Sequence, residues 1–210
     1  TTSTIKNLNV PIITFGIEND CDYVGVNIRK EHKSFYSFDV QHKGEIIATV
    51  HLSIPGRHNV YNALAAFAAT HQIGVEPAKI AEAIGKFGGA GRRFEIHGTV
   101  NGVTIADDYA HHPEELTATL TAAQDMGFNK VWAVFQPFTY SRTKMLLDDF
   151  ATSLQLADRV VMTEIMGSRE VNTIGIYTKD LAEKIPGSVW FDTFDEVENY
   201  VMNHAESGDL

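Results

Sequence analysis

The chain has 210 residues, 44% of them hydrophobic, enough to bury a core as one large domain or two small ones. Its formal net charge of -10 disfavours a nucleic-acid or anionic-membrane partner, because phosphate binding requires a basic surface. Cys21 is the single cysteine, which excludes an intramolecular disulfide and a cysteine metal cluster and fits a reducing cytoplasm. No apolar run approaches the roughly 20 residues of a membrane span, and the first residues lack signal-peptide character.

Residues 1 to about 55 alternate and carry few helix signals. Ile12-Ile13-Thr14-Phe15-Gly16 reads as a core strand already under way, so the chain reads as starting inside a domain. Val24 to Arg29 reads as a strand. Phe35 to Val40 and Ile46 to Leu52 read as a hairpin turned at Gln41-His42-Lys43-Gly44-Glu45. Pro55-Gly56 breaks the pattern. Val60, Ala63, Leu64, Phe67 and Ala68 then recur at helical spacing. A second helix runs from about Pro77 to Phe87, with proline suited to its first turn. Gly88-Gly89-Ala90-Gly91 is the most flexible stretch and marks a domain boundary near residue 91.

Beyond that boundary the rhythm changes. Phe94 to Val100 and Val103 to Ala106 read as strands around the turn dipeptide Asn101-Gly102. Leu116, Leu120 and Ala123 stripe a helix that starts at Pro113 and that Gly127 can end. Val131 to Phe135 is an apolar strand, and Leu147, Phe150, Ala151 and Leu154 stripe the next helix. Val160 to Met162 is a strand, followed by a helix over about Thr178 to Ile185, a strand at Val189 to Phe191 and a helix over about Asp195 to Ala205. The alternation predicts an α/β fold: a parallel sheet covered by helices on both faces, preceded by a β-rich portion with two helices. Glu206 to Leu210 stops where another strand would begin, so this end too reads as cut.

The chemistry-bearing residues cluster. Asp107-Asp108-Tyr109-Ala110-His111-His112 lies between a strand and the helix start Pro113-Glu114-Glu115. Polar groups at the carboxyl end of a strand, ahead of a helix, are where α/β proteins bind ligands. A core does not absorb two acids and two imidazoles in a row without partners. The aspartates suit ribose hydroxyls or Mg²⁺ waters, and the histidines suit a carboxylate or proton transfer. Alternatively, Asp108 or His112 caps the helix. Gln136 to Thr143 follows the strand at Val131 to Phe135 and can converge on the same crevice. Arg142 is the natural anion partner there, with Ser141 or Thr143 available as caps. Glu164 to Glu170 closes the next strand and reads more simply as an ordinary surface loop.

Asn59 and Asn62 lie three residues apart on a first helical turn, and a carboxamide both donates to and accepts from an adenine edge. Alternatively, Asn59 caps the helix and Asn62 is solvated. Arg92 and Arg93 follow glycines and suit phosphate, or else an ion pair between domains. The chain has no nucleophile elbow, no His-Glu-x-x-His, no Gly-x-Gly-x-x-Gly and no Gly-x-x-x-x-Gly-Lys-Ser/Thr loop.

Four stretches in order, Pro55 to Ala66, Gly91 to Glu95, Asp107 to Glu115 and Gln136 to Thr143, resemble the Mur ligase family of ATP-dependent ligases of peptidoglycan precursor synthesis. The likeness covers essentially the whole chain. The last two stretches resemble the branch that joins L-alanine to UDP-N-acetylmuramate. The resemblance implies that residues 1–91 are the back of a central ATP-binding domain. It implies that residues 92–210 are a Rossmann-like C-terminal domain with a mostly parallel sheet, truncated at its end. It further implies an ATP-driven amide bond through an acyl phosphate, with the phosphate loop and acidic Mg²⁺ ligands preceding Thr1, so the fragment alone is expected not to turn over. Carried over by position, Asn59 and Asn62 would hold adenine with His58 beside them in the ATP site, Arg93 would meet ATP phosphate or ribose, and Asp108 would bind the ribose hydroxyls. Tyr109, His111 and Arg142 would hold L-alanine, Arg142 through its carboxylate. No obligate acid or base and no metal ligand within the chain is implied. The resemblance leaves two alternatives: a murein peptide ligase acting on the same sugar nucleotide, and a non-catalytic ligand-binding module. One departure stands out. Many family members read Gln-Pro-His-Arg where this chain has Gln136-Pro137-Phe138-Thr139, so the carboxylate is held by Arg142 alone or by a group elsewhere.

Overall fold

A computed structural model describes residues 11–17 and 20–210, so the alternating pattern of residues 1–10 lies outside the described residues. The chain divides into two compact units, Thr1–Phe87 and Gly88–Leu210.

In the first unit β1 (Phe15–Ile17), β2 (Tyr23–Lys30), β3 (Tyr36–His42) and β4 (Glu45–His51) form one sheet in that order. β1 runs parallel to β2, and the other pairs are antiparallel. Lys43 and Gly44 turn the β3–β4 hairpin with φ of 52° and 85°, the two positive angles of a tight hairpin turn. Helices α1 (His58–Gln72) and α2 (Pro77–Gly85) follow. Val60, Leu64 and Phe67 of α1 are fully buried in one cluster with Tyr23, Phe38 and Val50 of the sheet. Each large side chain so buried contributes on the order of 1.5–3 kcal/mol of transfer free energy. Gly25 lets the helix close on the strand, since an added Cβ would stand 2.7 Å from Leu64 Cδ1.

Two expectations for this unit are corrected. Pairing with β2 begins only at Phe15, and Ile12, Ile13 and Phe15 are all exposed. Ile17 carries β1 into the core instead. Helix α2 stops at Gly85, because Phe87 is exposed and finds no core to hold a last turn.

The second unit opens with a hairpin of β5 (Glu95–Val100) and β6 (Val103–Asp107), turned at Asn101 and Gly102 with φ of 51° and 83°. The elements then alternate: α3 (Pro113–Gln124), β7 (Trp132–Phe135), α4 (Tyr140–Met145), α5 (Leu147–Leu154), β8 (Arg159–Thr163), α6 (Thr178–Ala182), β9 (Val189–Phe191) and α7 (Phe194–His204). β7, β8 and β9 form a three-stranded, wholly parallel sheet.

Strand alternation decides the two faces. Phe135, Val160 and Met162 are buried with Leu120 of α3, Leu154 of α5 and Leu181 of α6. On the other face Tyr200 of α7 meets Trp132 and Phe191, with ring centroids 6.4 and 5.3 Å apart. Val134 remains exposed on that side. Helices therefore lie on both faces of the sheet, but they cover them unequally. α6 ends at Ala182, short of the expected Ile185; two tight turns then carry Ile185 into the core. The last residues join β6 to β7: Gly208 N donates to Gly102 O at 2.8 Å, and Leu210 N donates to Lys130 O at 3.0 Å.

Candidate functional site

In the first unit the candidate residues open α1. The cap position is Arg57, and no side chain caps this helix. The alternative of Asn59 as cap is therefore corrected. Its Nδ2 donates backwards to Pro55 O at 2.7 Å, and Asn62 Nδ2 donates to Asn59 Oδ1 at 2.9 Å. This relay holds both carboxamides in place. Asn62 is exposed and retains its carbonyl oxygen and a second N–H, one acceptor and one donor. That is the pair an adenine edge requires. His58 stands exposed at the first helical position beside them. A separate cleft of about 420 Å³ between β4 and α2, lined by Ile47, Thr49, His51, Ala78 and Glu82, contains none of these residues.

In the second unit the site begins with a tightly bonded corner. Arg92 and Phe94 hold left-handed φ of 58° and 47°. Such angles are uncommon for non-glycine residues, and bonds from the surroundings hold these two in place. Here Glu95, the two aspartates and the Tyr109 backbone supply bonds, Glu95 accepting from Arg92 N at 2.7 Å. Arg92 Nε meets Asp107 Oδ2 at 2.9 Å, and Tyr109 N donates to Arg92 O at 2.8 Å. Asp108 accepts from Phe94 N at 2.8 Å through one oxygen and from Ala110 N at 2.7 Å through the other. Each oxygen keeps a further lone pair.

Tyr109 projects from this corner, and His111 follows it. The Tyr109 ring lies 5.1 Å from Arg92 Cζ, 6.0 Å from Arg93 Cζ and 5.3 Å from the His111 ring. His111 Nδ1 bonds Tyr109 O at 2.8 Å, and its backbone N donates to Glu115 at 3.0 Å. Burial pushes the Glu115 carboxyl up, but that backbone N–H and the charges of His111 and Arg93 together outweigh it and hold the pKa below the usual carboxylate value. His112 caps α3, its Nδ1 accepting from Glu114 N at 3.4 Å, while Glu114 and Glu115 complement the helix dipole.

The strand-end segment after β7 meets the same place. Arg142 Nη1 donates to His111 O at 3.2 Å, and Phe138 lies 6.4 Å from the His111 ring. Arg142 rides on α4, whose cap residue Thr139 makes no side-chain cap bond. Neither Ser141 nor Thr143 caps it, which corrects that expectation. Thr143 is buried and donates to Thr139 O, whereas Ser141 donates both its N–H, at 2.8 Å, and its hydroxyl to the Glu170 carboxylate. Those two bonds, the hydroxyl's foremost, hold Glu170 below the usual carboxylate range.

The segment Glu164 to Glu170 is thus no ordinary surface loop. Gln136 Nε2 donates to Glu164 O at 3.1 Å, and Met166 N donates to Pro137 O at 2.9 Å. Gly167 lets the segment seat itself: its φ is 76°, and an added Cβ would stand 2.9 Å from Tyr140 Cε2. Glu164 itself is pushed above the usual carboxylate value by burial and by the charge of Asp192.

Of the residues singled out in the sequence, Arg93, Tyr109, His111 and Arg142 gather at the ends of β6 and β7, with Asp108 bracing them from behind. His58, Asn59 and Asn62 gather separately on α1. The sequence reading missed Glu170 as a bonding partner and took Glu115 only for a helix starter. Glu115 four positions after His111 is an i, i+4 spacing that a helical reading can find. Nothing local signals Glu170, whose partner is 29 positions away.

Residues 92–210 match the Mur ligase glutamate ligase domain, and residues 1–70 match the Mur ligase middle domain. The chain belongs to the Mur ligase family. Among its relatives, the UDP-N-acetylmuramate–L-alanine ligase of Caldanaerobacter subterraneus subsp. tengcongensis is 44% identical over 210 residues, covering 98% of this chain and 46% of that protein. The Mur ligase chain thus spans about half the length of the curated relatives it matches. Among solved structures, the UDP-N-acetylmuramate–alanine ligase of Thermotoga maritima matches with a TM-score of 0.75 at 27% identity, over 94% of this chain and 43% of that one. The murein peptide ligase of Psychrobacter arcticus matches with a TM-score of 0.70 at 29% identity, over 99% of this chain and 44% of that one.

Proposed function

We propose that the complete protein containing this chain joins L-alanine to UDP-N-acetylmuramate in the cytoplasm at the expense of ATP, and that these residues supply the amino-acid site and part of the nucleotide site. Residues 1–91 serve as the back of the central domain and residues 92–210 as the C-terminal domain. The observation that carries the reading is the bond from Arg142 to the His111 carbonyl, which joins two strand-end segments around one guanidinium. That guanidinium is bonded to a neutral carbonyl, so the rest of its N–H fork retains capacity for a carboxylate.

In this reading Arg142 takes the carboxylate of L-alanine, while Tyr109 and His111 flank the amine and methyl group. Asn59 and Asn62 receive adenine beside His58, Arg93 meets phosphate or ribose, and Asp108 offers its remaining lone pairs to the ribose hydroxyls. The muramyl carboxylate oxygen attacks the γ-phosphorus of ATP, and ADP leaves. The alanine amine then adds to the acyl carbon, loses a proton, and expels phosphate to leave the amide. What this chain contributes is placement of the two reactants and compensation of charge. Mg²⁺ accompanies ATP in the proposal. Its protein ligands are assigned mainly to the remainder of the protein, as the family resemblance implies.

Incubating the complete protein with UDP-N-acetylmuramate, ATP and L-alanine, and following ADP release together with the mass of the product, tests this reading. An L-alanyl product supports it. A product formed only from a tripeptide replaces it with the murein peptide ligase reading, which the likeness to the Psychrobacter arcticus enzyme favours. Binding without any ADP release points instead to a non-catalytic module.

A further inference from the structure

Three strand-end segments meet in the second unit, and one carboxylate ties the third to the other two. Glu170 reaches across 29 positions to accept from Ser141 N at 2.8 Å and from the Ser141 hydroxyl. Ser141 lies in the first turn of α4, where backbone N–H groups have no partner within the helix. The helix spans only Tyr140–Met145 and has no side-chain cap of its own, and so short a helix is marginal without outside support. Arg142 is the next residue, and its guanidinium bonds His111 O at 3.2 Å. A continuous path therefore runs Glu170–Ser141–Arg142–His111. The Glu170 segment is itself seated by Met166 N on Pro137 O and by the close approach of Gly167 to Tyr140.

We propose that Glu170 is a positioning residue for the amino-acid substrate: it clamps the first turn of α4 and thereby aims Arg142 at the substrate carboxylate. The inference rests on the reading of Arg142 as the carboxylate partner. The physical case is one of direction. A guanidinium binds a carboxylate well only when its planar fork is aligned with the two oxygens. Arg142 has several rotatable bonds, and its bond to a carbonyl fixes only one nitrogen. Where α4 places its backbone decides which poses the remaining torsions can reach, and Glu170 holds the first turn of that helix through two charge-assisted bonds to Ser141. Freed of the clamp, α4 frays and Arg142 samples misaligned poses. The cost falls on binding of the amino acid and leaves ATP untouched.

The test uses the complete protein, assayed with L-alanine, UDP-N-acetylmuramate and ATP. Glu170→Gln removes the charge and one of the two acceptors. It is expected to raise the KM for L-alanine about tenfold, with kcat within about threefold and the KM for ATP within about twofold. Ser141→Ala removes the hydroxyl bond alone and is expected to give a smaller rise of the same kind. The double variant is expected to be no worse than Glu170→Gln, since both changes break one clamp. The proposal is overturned if Glu170→Gln leaves the KM for L-alanine within twofold, if both KM values rise together, or if the two substitutions add. Should Glu170→Gln not fold, an unchanged KM for L-alanine in Ser141→Ala overturns it equally. Should the unsubstituted protein use a tripeptide and not L-alanine, the functional reading fails, and the same KM split read with the tripeptide decides the clamp.

Discussion

Arg142 and His111 stand 31 positions apart and are joined by a single bond, Nη1 of the arginine to the carbonyl oxygen of the histidine at 3.2 Å. The bond connects the segment after β6 to the segment after β7. It also explains why a half-exposed imidazole keeps its place: His111 is bonded at its ring, its N–H and its carbonyl, and each bond ends on a different group.

Arg142→Lys tests whether the planar fork matters. A lysine ammonium preserves the charge but cannot bond two carboxylate oxygens in parallel while also holding the His111 carbonyl. In the complete protein the KM for L-alanine is expected to rise by tenfold or more, about 1.4 kcal/mol per factor of ten. The KM for ATP should be unaffected. Steady-state kinetics with each substrate varied in turn would show it, and an unchanged alanine KM would remove Arg142 from the amino-acid site.

Asn59 and Asn62 have separable roles. Asn59 is half-buried and holds the Pro55 carbonyl, so Asn59→Ala loses a structural bond worth about 1 kcal/mol as well as nucleotide affinity. Asn62 is exposed and, among the described residues, its side chain bonds Asn59 alone, so Asn62→Ala should weaken ATP binding severalfold while leaving thermal stability within about 0.5 kcal/mol. Titration with a fluorescent ATP analogue, paired with thermal melts, separates the two effects. Equal stability losses in both variants would refute the division of labour.

Much of this fold was legible in the sequence because its signals are local. The Lys43-Gly44 and Asn101-Gly102 turns need residues that tolerate positive φ, and the sequence places glycine in both. Leu116, Leu120 and Ala123 stripe α3 at a spacing that only a helix satisfies. The site was legible to the extent that strand ends carry ligands, which brought out Tyr109, His111 and Arg142. What stayed hidden is long-range. Asn59 looked like a cap because caps favour asparagine, but its carboxamide found Pro55 instead. Ser141 looked like a cap for the same reason, yet Glu170 supplies the acceptor from a segment whose composition resembles any polar loop. Ile12 and Ile13 looked like core because hydrophobicity is visible in a sequence and strand pairing is not.

Asp108 gives a sharper test of structure against function. Its two oxygens hold the backbone N–H groups of Phe94 and Ala110 at the corner beside Arg93. Asp108→Asn keeps one acceptor, turns the other into a donor and faces it towards a backbone N–H. A stability loss of about 1 kcal/mol is expected, the net worth of one half-buried hydrogen bond. If ribose binding were the residue's only role, unfolding of the 210-residue chain in urea would not change. A midpoint equal to that of the unsubstituted chain would therefore show that the corner does not depend on this carboxylate.

Asp158 should make the second unit acid-sensitive. Its carboxylate accepts from Val131 N at 2.8 Å and from Gln124 Nε2 at 2.9 Å, tying the start of β7 to the end of α3. The Val131 bond is the largest cause of a folded-state pKa below the ordinary value of 3.8; burial opposes it, and Gln124 and Arg159 assist. A depressed folded pKa means that the carboxylate stabilises the fold fully above the unfolded value. That stabilisation is lost as the pH falls below 3.8 towards the folded pKa. Asp158→Asn keeps an acceptor but removes the charge, so it should lower stability by only about 0.5 kcal/mol near neutral pH, because the carboxylate is exposed and solvent screens its charge. The gap between variant and unsubstituted chain should then close as both are taken below pH 3.8 and through the folded pKa. Both tryptophans, Trp132 and Trp190, lie in this unit, so their fluorescence follows its urea unfolding directly. A gap that persists unchanged in acid would mean that the charge of Asp158 contributes nothing, and that the hydrogen bonds alone hold β7 in register.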